Sequence, residues 1–134
     1  MASVLNPYIS FDGKAREALE FYQHVFGGEL AVNTFADYGG PPEKGDEIMH
    51  GQLETATGFT LMAADTAPGA THEPGNNFSV SLSGDDGDQL RGWWASLSEG
   101  GTVAMPLEKQ MWGDEFGMCV DKFGVNWMVN ISAG

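Results

Sequence analysis

The chain has 134 residues, 42% of them hydrophobic and 19% charged, which is long enough for one buried core and too apolar for a disordered segment. Its net charge of −13 argues against nucleic acid, whose phosphates need a basic face, and against anionic membrane surfaces. A single cysteine allows no internal disulfide and points to the cytoplasm, and no apolar run approaches the roughly 20 residues that span a bilayer.

In chain order, residues 4–11 alternate, with Leu5, Ile9 and Phe11 set against Asn6, Tyr8 and Ser10, and read as a strand. Asp12 is placed to cap a helix in which Ala15, Ala18, Leu19, Tyr22, Val25 and Phe26 recur at helical spacing. Gly27-Gly28 ends that helix. Strands are expected at 29–36, 47–54 and 59–64, separated by turn-rich pieces at 37–42 and 55–58.

The plan restarts at Asn77, where Phe78, Val80 and Leu82 alternate with Asn77, Ser79 and Ser81. Asp85 or Asp86 caps a second helix carrying Leu90, Trp93, Trp94 and Leu97 on one face, and Gly100-Gly101 ends it. The same offset separates Gly27 from Gly100 and Asp12 from Asp85, which marks an internal repeat. Strands at 102–109, 116–120 and 125–131 complete the second copy. In the last of them Val125, Trp127, Val129 and Ile131 form an apolar face, while Asn126, Met128 and Asn130 form a face suited to a cavity wall. The reading is one α+β domain spanning 1–134, built of two βαβββ modules, 1–65 and 76–134, joined by a linker at 66–75.

Several chemistries have no motif here. No Gly-x-Gly-x-x-Gly opens a helix after a strand, no Gly-x-x-x-x-Gly-Lys-[Ser/Thr] is present, and no Gly-x-Ser-x-Gly appears. A Rossmann-type methyltransferase or dehydrogenase is therefore not supported by the residues.

The stretches NPYISF, EALEFYQHVFGGEL, IMHGQLE, MPLEKQMWG and FGMCVDKFGVNWMVN resemble the vicinal oxygen chelate superfamily, which includes glyoxalase I, bleomycin-resistance proteins and extradiol dioxygenases. They resemble most its PhnB-like subgroup, often labelled 3-demethylubiquinone methyltransferase-like. The resemblance covers essentially the whole chain and implies a U-shaped mixed sheet around a ligand cavity, commonly in a homodimer. It also implies a divalent metal held by His and Glu from the first and last strands of each module. Carried over by strand register, those positions fall on Asn6, Leu61, Asn77 and Met128, and neither they nor their neighbours Leu5, Pro7, Met62, Phe78, Trp127 and Val129 offer a histidine or carboxylate. The expectation is therefore no metal and no other cofactor.

Among the titratable residues, His50 shares a strand face with Gln52. It is either a catalytic acid/base looking into the cavity or a half-exposed strand histidine. A metal held by His50 with Gln52 or Glu54 would need a third ligand such as Asp114 or Glu115. His24 reads as helix surface, His72 as linker and Cys119 as inert packing. Trp112 either stacks on a planar ligand or packs at a rim. The expected ligand-binding set is Asn6, Tyr8, Gln52, Leu61, Asn77, Ser79, Trp112, Phe116 and Met128. The functional expectation is a cytoplasmic homodimer that encloses a small planar or apolar molecule. The alternative is a lyase, isomerase or dioxygenase-like enzyme using His50 as acid/base, with or without a divalent metal.

Overall fold

In the computed structural model, which describes residues 3–133, the chain divides between Pro74 and Gly75 into two units. The first holds β1 (Tyr8–Phe11), α1 (Ala15–Phe26), β2 (Glu29–Thr34), β3 (Ile48–Glu54) and β4 (Thr60–Asp65), with two 3-10 turns, Ala36–Tyr38 and Pro42–Lys44, between β2 and β3. The second holds β5 (Val80–Gly84), α2 (Gly87–Ser98), β6 (Thr102–Lys109), β7 (Glu115–Val120) and β8 (Asn126–Ile131). Each unit is a βαβββ module with its own mixed four-stranded sheet, ordered β1-β4-β3-β2 in one and β5-β8-β7-β6 in the other. The first strand of each pairs parallel with the last, and the other pairings are antiparallel. The module limits set from the sequence at residues 1 and 134 lie outside the described residues.

In the first unit α1 buries Ala15, Ala18, Leu19, Tyr22 and Phe26. On the sheet face beneath it lie Phe11, Ile48, Leu53, Leu61 and Ala63, all buried. Helix and sheet approach so closely at Gly51 that a Cβ there would stand 2.3 Å from Leu19 Cδ1. Three details depart from the sequence reading. Asp12 is exposed and does not cap α1, whose N-cap position is Lys14 with no side-chain bond. The first helical N–H, that of Ala15, is instead accepted by Asp65 at the end of β4, at 2.9 Å. β1 begins at Tyr8 rather than residue 4, because Pro7 has no N–H for a ladder and only its carbonyl takes part, accepting from Met62 at 3.0 Å. Finally, the β2–β3 register shifts between Asn33 and Thr34, which interrupts the simple alternation of β3 and leaves Ile48 in the core.

In the second unit Asp86 caps α2 by accepting from Gln89 N–H at 3.1 Å. Leu90, Trp93 and Leu97 are buried on the helix, while Leu82, Cys119, Trp127, Val129 and Ile131 are buried on the sheet. The repeat extends to the last turn of each module. Thr55 N–H bonds to Phe59 O at 2.8 Å, and Asp121 N–H bonds to Val125 O at 2.9 Å. Gly117 matches Gly51, and a Cβ on it would meet Leu107 Cα at 2.8 Å and Trp94 Cη2 at 2.9 Å.

Candidate functional site

Alternation along each strand leaves one sheet face without a helix, and its residues follow from the pairing register. In the first unit, Tyr8, Met62, Gln52 and Ala31 form one row across β1, β4, β3 and β2. In the next row Ser10 pairs with Ala64, and His50 pairs with Asn33. The Tyr8 hydroxyl and His50 Nδ1 are 3.1 Å apart in a hydrogen bond whose donor depends on the histidine tautomer. Their rings lie 5.6 Å apart, tilted by 38°. Tyr8 pairs with Met62 of β4, so its bond to His50 spans β4 to reach β3. It is 53% exposed, so the pair stands at an accessible surface. Further along β3, Glu54 accepts from Gln52 Nε2 and, at 2.9 Å, from the Thr60 hydroxyl. The first face is thus polar and ordered by side-chain bonds.

The corresponding face of the second unit differs in chemistry. Ser81, Met128, Met118 and Met105 form one row across β5, β8, β7 and β6, and Ser83, Asn130, Phe116 and Glu108 form the next. Trp112, in the loop between β6 and β7, is 59% exposed, and its ring lies 6.2 Å from that of Phe116. Asp114 in the same loop accepts from Asn130 Nδ2 and from Ala133 N–H, each at 3.0 Å. The loop is therefore tied to the end of β8.

Of the residues singled out in the sequence, Tyr8, His50 and Gln52 share the helix-free face of the first unit, and Phe116 and Met128 share that of the second, with Trp112 beside Phe116. Asn6 precedes β1, while Asn77 and Ser79 precede β5 as exposed residues. Leu61 lies on the helix-packed side, in register with Leu53 and only 5% exposed, so β4 presents Met62 to the open face instead. His24 is exposed on α1, and His72 Nδ1 lies 3.3 Å from the Thr66 hydroxyl. Two contacts escaped the sequence reading: the Tyr8–His50 bond and the Glu54–Thr60 bond. Alternation places each of these side chains on its face, but only the strand register brings the partners together.

Among the described residues, no three His, Cys, Asp or Glu side chains gather where they could hold a metal ion. Within β3, His50 and Glu54 stand roughly 13 Å apart at about 3.3 Å per residue, too far to share one ion. The further ligands considered from the sequence are committed elsewhere. Asp114 holds the loop, and Glu115 faces α2, where its carboxylate pairs with the Arg91 guanidinium. That bond holds the Glu115 carboxyl below its ordinary range and raises Arg91. Burial, followed by the charge of Asp121, pushes the Cys119 thiol up to about 11, which disfavours a nucleophilic thiolate at neutral pH. The donor set present does not fit the divalent ion of the resembled family.

Known proteins share this architecture. Protein YjdN of Escherichia coli is 27% identical over 142 residues, covering 95% of this chain and 94% of its own. Rv0887c of Mycobacterium tuberculosis is 30% identical over 131 residues, covering 92% of this chain and 71% of its own. The crystal structure of PA1353 from Pseudomonas aeruginosa superposes with a TM-score of 0.88 at 39% identity, covering 98% of both chains. The PhnB protein of Bacillus cereus shares the fold with a TM-score of 0.78 at 23% identity, over 97% of this chain and 100% of that one. No helix among the described residues is long and apolar enough to cross a membrane. Residues 4–129 match the model of the Glyoxalase/Bleomycin resistance protein/Dioxygenase superfamily, and the chain belongs to that superfamily.

Proposed function

We propose that this protein binds a small planar or apolar molecule on the helix-free faces of its sheets, and does so without a divalent metal. The observation that carries the reading is the Tyr8–His50 pair, an ordered polar anchor on an accessible face. A binding surface of this kind needs a few placed polar groups against apolar contact area. The second unit's face carries both kinds on its own, Asn130 beside Phe116, Met118 and Met128, with Trp112 next to Phe116. The metal-free part rests on donor chemistry: two amides, a leucine and a methionine at the expected ligand positions, with His50 and Glu54 set apart.

The test is titration of the purified protein with a panel of phenolic and other planar apolar compounds, read by tryptophan fluorescence and by Tm. Saturable quenching with a matching rise in Tm is expected for at least one compound class. Tyr8→Phe, which removes one hydrogen bond worth about 1 kcal/mol, should weaken that binding about fivefold. A panel that leaves both fluorescence and Tm unmoved overturns the proposal.

One observation favours a second reading. The bond to Tyr8 engages Nδ1 of His50, while Nε2 makes no hydrogen bond with the described residues. An imidazole oriented in this way suits a general acid/base acting on a bound carbonyl or phenol. His50→Gln separates the two readings, because binding survives it under the first and turnover is abolished under the second.

We also propose that the protein acts as a cytoplasmic homodimer. Leu5 is fully exposed, Phe78 is 81% exposed and Met111 is 98% exposed, apolar side chains that self-association would cover. Light scattering that reads a single chain mass at micromolar concentration overturns the dimer.

A further inference from the structure

The row Met105–Met118–Met128 has a chemistry that neither the fold nor the proposed binding function requires. The three residues are direct cross-strand partners on β6, β7 and β8, Met105 opposite Met118 and Met118 opposite Met128. Met118 and Met128 lie on the helix-free face, since Cys119 and Trp127, the alternate positions, are in the core, and Met105 joins them as the partner of Met118, between two shifts of the β6–β7 register. Met105 is 40% exposed, and Met118 and Met128 are half-buried, so the row is not interior packing.

The first module provides an internal control. Its equivalent row across β2, β3 and β4 reads Ala31, Gln52 and Met62. The equivalent row therefore holds an alanine and an amide where the second module places thioethers. If the second face needed only apolar area, leucine or valine would serve it equally, and more rigidly. Sulfur is the property the three side chains share.

Directly opposed residues on one face have Cβ atoms about 5 Å apart. Each outer methionine, on its flexible stem, can then bring its sulfur over the central one. Three convergent thioethers make a soft, neutral donor set, which prefers a soft monovalent ion and discriminates against zinc, magnesium and calcium. We propose that the Met105–Met118–Met128 row is a binding site for a soft d10 cation, Cu(I), with Ag(I) as its redox-inert stand-in. This goes beyond the small-molecule reading and does not depend on it.

The test uses the full chain under anaerobic conditions, with Cu(I) presented as its bicinchoninate complex. The protein is expected to withdraw one equivalent per chain. Met118→Leu, close in volume, should weaken Cu(I) affinity at least tenfold, and Met105→Leu, on the exposed edge strand, should do so without touching the core. Met62→Leu in the first module and Cys119→Ala should leave affinity unchanged. With 13C-methyl-labelled methionine, Ag(I) should shift the methyl resonances of Met105, Met118 and Met128 together. No withdrawal of Cu(I), equal affinity in Met118→Leu and Met105→Leu, or loss of uptake in Cys119→Ala overturns the proposal.

Discussion

Asp65, the last residue of β4, accepts the N–H of Ala15 at 2.9 Å and so caps a helix that begins 50 residues earlier in the chain. Its other oxygen accepts from Ile48 N–H at 2.8 Å. One carboxylate, only 5% exposed, thus ties the start of α1 to β3 and β4. Asp65→Ala leaves two buried N–H groups without partners and removes a helix cap, at a cost of about 3 kcal/mol. Asp12→Ala, at the exposed position next to the helix start, should stay within about 0.5 kcal/mol of the parent. Urea midpoints of the two variants check the contrast, and equal losses would refute the assignment of the cap.

In the second module Asp121, at the turn position that Thr55 holds in the first, is likewise a buried carboxylate that accepts from several donors. Its Oδ1 accepts from Phe123 N–H at 2.8 Å and Val125 N–H at 3.1 Å, and its Oδ2 accepts from the buried Trp127 indole N–H at 2.8 Å. Asp121→Asn can keep the turn, but it sets an amide N–H2 against the indole N–H. The expected cost is about 2 kcal/mol. Hydrogen exchange at the Trp127 indole, followed by NMR, should quicken in the variant.

Gly51 and Gly117 occupy matching places under the two helices, yet alanine should cost more at Gly117. A Cβ on Gly51 meets the end of the Leu19 side chain, which can turn aside, whereas one on Gly117 meets the Leu107 backbone at 2.8 Å. We expect Gly51→Ala to lose about 1–3 kcal/mol by overpacking. Gly117→Ala should lose more, because β6 itself must move. Thermal unfolding of both variants decides the order.

Cys119 gives the protein a pH signature. Burial raises its thiol from an ordinary value near 9.0 to about 11. Between those two values the unfolded chain releases a proton that the folded chain retains. Cys119 thus contributes stability that is fully present below about 9 and is lost as pH rises toward 11. Urea midpoints measured from pH 8 to 11 should fall more steeply in the parent than in Cys119→Ala. In the same protein, iodoacetamide at pH 8 should label Cys119 only after denaturation.

The local elements of this fold are legible along the chain. Periods of 3.6 and 2 expose both helices and the strands, and the matched Gly-Gly stops expose the repeat, because both signals depend on residues within a few positions of one another. The faces of β8 are legible for the same reason: Trp127, Val129 and Ile131 are buried, while Asn126, Met128 and Asn130 are half-buried on the other side. What sequence neighbours do not encode is the offset between strands. Asp65 replaced Asp12 as the cap of α1 because β4 ends beside the helix start. Leu61 went to the core while Met62 took the open face, a one-residue difference that register alone decides. Tyr8 and His50, 42 residues apart, became a bonded pair only because the sheet order sets their strands on either side of β4. The sequence by itself determined which side chains each element offers, and the tertiary structure decided which of them meet.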